Sequence, residues 1–195
     1  MKNINDIDLN DGKQFCLDVS EENIARQILT SIHPDRNFDN ITIKNEYIDS
    51  NYKDDHDANN GVYITDEFDH YYVIKLAKPE EKDDLGVLAR YLESKLASLS
   101  NESEPTGDII ILTNYDPFDE NRHYYEFSEM LAFATAGDNN ESLDFSQFDF
   151  HRFDIPFPRY FIYLNSKENN NEKILNQVRT NNIEDIKQKQ KNNKA

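Results

Sequence analysis

Four consecutive apolar residues, Ile109 to Leu112, constrain this chain more than any other feature of its 195 residues. A strand that alternates apolar and polar buries one face; an unbroken apolar run buries both. The segment 108–115, DIIILTNY, therefore predicts a strand covered on two sides, and the ordinary way to cover it is a sheet between layers of helix. Its neighbours agree. Pro79 opens a stretch in which Leu85, Leu88, Leu92, Leu96 and Leu99 recur at spacings of three and four, an amphipathic helix. Before it, GVYITDEF (61–68) and HYYVIKLA (70–77) read as strands joined tightly near Asp69. A further strand over 41–48 carries Ile41, Ile43 and Tyr47 on one parity. Ser20, as N-cap, precedes a helix with Ile24, Ile28 and Ile32 on one stripe, ended by Pro34.

The ends are less regular. Residues 1–19 are mixed, with an apolar cluster at Phe15, Cys16, Leu17 and Val19. Residues 123–137 read as a helix, with Tyr124, Phe127, Leu131 and Ala134 in register and Gly137 as C-cap, while Tyr125, Phe127 and Leu131 keep a strand open. PRYFIYLN (158–165) is a strand, and the remainder is a polar helix fraying into a Lys, Gln and Asn tail. The expected fold is α/β or α+β: a mixed sheet flanked by helices in a single domain. Within it, residues 1–165 form an acidic α/β body and 166–195 a polar C-terminal helix and basic tail.

Charge separates these parts. The chain carries 38 acids and 21 bases, a formal −17. Residues 166–195 hold 4 of those acids and 7 of the bases (+3), so residues 1–165 hold 34 and 14 (−20). A body at −20 repels a phosphate backbone, which argues against direct nucleic-acid binding and for a basic partner. No apolar run approaches the ~18 residues that span a bilayer, and the first fifteen residues hold no signal-peptide apolar core. With one cysteine there is no internal disulfide. A cytoplasmic protein away from membranes is expected.

Glycine positions exclude whole classes of chemistry. The five glycines stand at 12, 61, 86, 107 and 137, the closest pair 21 residues apart. A phosphate-cradling loop or a GxSxG nucleophile elbow needs glycines within a few residues of one another, so both are absent. No cofactor and no metal site is expected. The cluster Asp54, Asp55, His56, Asp57 has the composition of a ligand set, but placing Gly61 at position six of an EF-hand loop puts Ala58 at a ligand position. Asp116, Asp119 and Glu120 follow the buried strand, three residues ahead of His123, where α/β proteins place sites. They fit a proton-transfer group, or a turn built on Asp116-Pro117. Cys16, among apolar neighbours, reads as a buried thiol.

Residues 20–115 carry a family resemblance. Val73-Ile74-Lys75 on a strand, Leu88-Ala89-Arg90-Tyr91-Leu92 on the following helix, and Ile109 to Leu112 on the next strand resemble the core of restriction-endonuclease-like nucleases. In that family a strand carries an acid-x-Lys triplet and an earlier strand supplies a second acid. The resemblance implies a metal-dependent nuclease core, with Mg²⁺ held by clustered carboxylates to activate water. Here the triplet acid falls on Val73 and the upstream acid near Tyr63, so the resemblance implies shared architecture without shared activity. As a catalytic alternative, Asp66 and Asp69 act with Lys75; otherwise Lys75 is a strand lysine facing solvent.

DFSQFDFHRFDIPF (144–157) interleaves Asp144, Asp149 and Asp154 with Phe145, Phe148, Phe150, Phe153 and Phe157. Aromatic rings with an acidic rim suit a protein interface. The functional expectation is a non-catalytic acidic binding protein, an inhibitor or immunity-type factor of anti-defence character. It blocks the cationic surface of a nucleic-acid-processing partner by mimicking nucleic acid. Asp116, Asp119, Glu120, Asp144, Phe145, Asp149, Phe150 and Asp154 are the expected contacts. The alternative is a metal-dependent nuclease or phosphodiesterase using Asp66, Asp69 and Lys75, or the Asp116–His123 group.

Overall fold

The structure, a computed structural model, describes residues 2–45, 61–79, 107–119, 121–126, 159–164 and 170–192, with positions 82, 85, 88, 89, 91, 92 and 96. A 3₁₀ turn at Ile4–Asp6 leads into α1 (Gly12–Val19) and α2 (Glu22–Ile32). The strands are β1 (Ile41–Asn45), β2 (Val62–Asp66), β3 (Tyr71–Ala77), β4 (Gly107–Thr113), β5 (Tyr124–Glu126) and β6 (Arg159–Tyr163), and α3 (Asn171–Asn192) ends the described chain.

All six described strands form one mixed sheet in the order β1-β2-β3-β4-β6-β5. β1, β2 and β3 are successively antiparallel; β3, β4 and β6 run parallel; β5 returns antiparallel to β6. The parallel β3–β4 pair needs a crossover, and the helical residues Leu85, Leu88, Ala89, Tyr91, Leu92 and Leu96 lie between them in sequence.

Parity divides the core into two halves. Val62, Ile64, Tyr72, Ile74, Leu76, Ile110, Leu112, Tyr160 and Ile162 face a cluster with Ile4, Phe15, Val19, Ile24, Ile28 and Leu29 of the N-terminal elements. Tyr63, Val73, Ala77, Ile109, Ile111 and Phe161 point the other way, onto Leu85, Leu88, Leu92 and Leu96. The run at 109–112 is buried throughout because both faces of β4 are covered. The architecture is thus an α/β sandwich with helix on both sides of a mixed sheet. Among the described residues, no helix is long and apolar enough to cross a membrane.

Three local readings change. Residues 12–19 form α1, capped by Asp11, whose carboxylate accepts the Lys13 and Gln14 amides at 2.9 and 3.1 Å. Ser20 closes α1 rather than opening α2: its hydroxyl donates to the Cys16 carbonyl, and Glu21 is the N-cap of α2. Tyr124–Glu126 is a strand, not the first turn of a helix, because it pairs with Tyr160–Ile162 on β6. The rest of 123–137 beyond residue 126 lies outside the described residues. α3 joins the main core through Ile174 and Leu175. Its Asn182 amide donates to the Ser31 and Ile32 carbonyls, both at 3.0 Å, satisfying acceptors that the end of α2 leaves open.

Candidate functional site

The expected resemblance put its triplet acid at Val73 and its upstream acid near Tyr63. Tyr63 on β2 and Val73 on β3 stand directly opposite each other in the ladder, both buried against the crossover residues. Lys75 lies two residues along the same face beside Ile111, and it is 6% exposed rather than facing solvent. Asp66 is elsewhere. It ends β2 on the parity of Val62 and Ile64, toward the N-terminal helices, where its Oδ2 accepts the Tyr72 hydroxyl at 3.1 Å. Its Oδ1 accepts the Phe68 and His70 amides at 2.9 and 3.0 Å. Asp66 thus holds the turn, and Asp69 forms its left-handed corner (φ 58°). The alternative trio of Asp66, Asp69 and Lys75 is divided between opposite faces and opposite ends of the β2–β3 hairpin.

The loop after β4 is also built on its acids. Asp116 accepts the Phe118 amide (3.1 Å), the Asn121 amide and the Tyr125 hydroxyl (2.8 Å). Burial acts to raise its pKa, but these donors outweigh burial and hold its carboxyl below the usual range. The Tyr125 hydroxyl is pushed up to about 12, first by burial and then by its bond to Asp116. The Tyr125 ring packs on Phe118, which packs on Phe161. Asp119, a left-handed corner (φ 59°), pairs with Lys82 at 2.7 Å. His123 donates from Nδ1 to the Tyr163 carbonyl at 3.0 Å and stacks on that ring. Asp116 and His123 therefore serve the loop and β6 respectively rather than converging on one another. Glu120, Asp144, Phe145, Asp149, Phe150, Asp154 and the 54–57 cluster lie outside the described residues. Cys16 is fully buried, its thiol pushed up to about 11 by burial, with Lys75 opposing that shift.

Among the described residues, a group of ionisable side chains centred on Asp108 was not singled out by motif. Asp108, second residue of β4 and 2% exposed, accepts His33 Nε2 at 2.8 Å and His70 Nε2 at 3.0 Å on the same oxygen, Oδ2. His33 caps the end of α2, and His70 enters β3 from the hairpin. An ionised carboxylate only accepts, so each imidazole carries its proton on Nε2. Burial opposes ionisation of Asp108, yet the two histidines more than offset it, and its carboxyl sits below the ordinary range.

Tyr72 occupies the centre, its ring 4.7 Å from His70, 5.7 Å from Phe38 and 6.0 Å from His33. Its hydroxyl accepts from Arg36 at 2.8 Å and donates to Asp66, so Arg36 brings a positive charge beside the two carboxylates. Burial raises the Tyr72 and Tyr160 hydroxyls, keeping both as neutral phenols. The network ties α2, the hairpin and β4 together and fixes two imidazoles. Among the described residues, no three His, Cys, Asp or Glu side chains are placed to hold a metal ion. One signal for Asp108 was present in the sequence: an acid opening a strand expected to be covered on both faces needs buried partners. Those partners lie 75 and 38 positions away, beyond any local pattern.

No protein-family model matches the chain, and no curated protein or solved structure matches it.

Proposed function

We propose that this chain is a non-catalytic acidic binding protein that occupies the cationic surface of a nucleic-acid-processing partner. The observation that carries the reading is the pair Tyr63–Val73. As the resemblance sets the restriction-endonuclease-like plan on this chain, the position of Val73 and one near Tyr63 hold the carboxylates that gather Mg²⁺. Here they hold a buried ring and a buried branched chain, directly opposite each other. Lys75 beside them is left without the metal-bound water it would serve. The order of elements also supports that plan: antiparallel β1, β2 and β3, helical crossover residues, then buried parallel β4. The −20 body supplies what remains, a field that attracts basic surfaces and repels phosphates. The inhibitory and anti-defence roles belong to the same proposal, because a protein seated in a nucleic-acid groove excludes the nucleic acid.

The test immobilises the full chain, applies a cell lysate at low salt, and elutes with duplex DNA. A basic nucleic-acid-processing protein released by DNA, but not by a neutral polymer, is the expected result. If DNA releases no such protein, the reading fails. A parallel cleavage assay on DNA and RNA with Mg²⁺ and Mn²⁺ addresses the alternative. Cleavage abolished by Lys75→Ala or Asp66→Asn would establish an enzyme in place of a binding protein.

A further inference from the structure

The tip of the β2–β3 hairpin presents a ring to water. Phe68 is 77% exposed; among the described residues, Leu17 at 37% is the other large apolar side chain counted as exposed. Among the described residues, the apolar side chains of the hairpin strands β2 and β3 are buried or partly buried, so this ring stands apart from them. Its position in the turn accepts Asn, Asp, Ser or Gly readily.

The ring stands on a fixed base. The Asp66 carboxylate accepts the Phe68 and His70 amides, the Asp66 amide donates to the His70 carbonyl at 3.1 Å, and the Asp69 amide to the Asp66 carbonyl at 3.2 Å. Below it, the His70 ring is tied to Asp108. A turn whose backbone is already fixed loses less freedom on docking.

Its charge surroundings select the kind of partner. Glu67 and Asp69 flank Phe68 directly, and Glu67 accepts the Asn40 amide at 3.1 Å. An open cleft of about 310 Å³ beside the tip is lined by Glu22, Asp39 and Glu67, with Arg26 offsetting part of that charge. A lone exposed phenylalanine also suits base stacking or insertion into a bilayer. Flanking carboxylates oppose both, because phosphates and anionic lipids carry the same sign. A protein pocket with an apolar floor and a rim of Lys and Arg satisfies ring and acids together.

We propose that Phe68 is the anchor by which this chain docks onto a basic protein partner, its ring filling an apolar pocket while Glu67 and Asp69 face the cationic rim. The inference rests on the proposed function and adds the contact point. The probe is the DNA-released partner recovered with the full chain, titrated against wild type and variants; protamine, a basic chain without an apolar pocket, is the control. Phe68→Ala is expected to weaken partner binding about 10- to 100-fold, as loss of an anchor ring does. Its salt dependence and its protamine binding stay at wild-type values. Phe68→Trp retains binding, and the E67Q/D69N double variant lowers the salt dependence. Phe68→Ala also keeps the thermal midpoint within about 2 °C, since an exposed ring adds little to folding.

Partner binding by Phe68→Ala within threefold of wild type overturns the anchor while leaving the acidic-binding reading standing. A midpoint lowered by more than about 5 °C, or a changed oligomeric state, overturns it equally. Recovery of no DNA-released partner removes the acidic-binding reading, and the anchor with it.

Discussion

Asp108 shows how single residues hold this molecule together. A carboxylate 2% exposed is stable only with strong donors, and two imidazoles meet on one of its oxygens. Replacing it in Asp108→Asn exchanges a charged acceptor for a neutral one, and a loss of about 2 kcal/mol in denaturant unfolding is expected. The pH dependence follows from its lowered pKa. A carboxyl depressed in the folded state stabilises above its unfolded value, about 3.9, and that contribution is lost as pH falls through the folded value. Stability should therefore decline in acid below about pH 4, less steeply in Asp108→Asn than in wild type, when unfolding is followed across that range. Glycine scarcity has a counterpart at this scale. Among the described residues, the left-handed corners are Asp69, Asp119 and Asn121, polar residues that tolerate the conformation. Gly61 is needed for closeness instead: an added Cβ would meet Val73 Cγ2 at 2.9 Å. Gly61→Ala is expected to cost about 1–3 kcal/mol by overpacking, read as a lowered unfolding midpoint.

At the scale of elements, α3 tests how far the folded body extends. Its first half buries Ile174, Leu175 and Val178, its middle places Asn182 on the end of α2, and residues 187–192 are exposed. Truncation after Ile186 should change stability by less than about 0.5 kcal/mol. Truncation before Asn171 removes three core side chains worth about 1.5–3 kcal/mol each, and should leave a chain that unfolds far earlier in denaturant. Asn182→Ala is expected to cost about 1–2 kcal/mol, because two carbonyls lose their donor. The elements legible in the sequence were those whose own pattern decides them. The apolar run at 109–112, the leucines from 85 to 96 and the alternation around Asp69 needed no knowledge of the rest. Those decided by distant partners were not legible. Tyr124–Glu126 is a strand because β6 lies 36 residues ahead to receive it. α1 is short, and its start rests on two bonds to Asp11 rather than on a long stripe. Lys75 looks like a surface lysine until the covering of its face is known, and the Asp108 network joins residues from three elements. Tyr63 and Val73 are partners in the β2–β3 ladder, a pairing set by register that neither strand shows alone.

For the whole molecule, the proposal joins a sheet on a nuclease-like plan to a field of the wrong sign for nucleic acid. The −20 belongs to residues 1–165, and the +3 of the C-terminal segment does not cancel it. Such a body attracts a cationic groove at long range, and closer contacts then set the fit. The most direct measurement is competition between this chain and duplex DNA for the recovered partner, from about 50 to about 300 mM salt, where counterion release governs DNA binding. The account predicts mutually exclusive binding, with the chain's own affinity falling steeply as salt screens the field. Simultaneous binding of DNA and chain to the partner, or an affinity indifferent to salt, would contradict it.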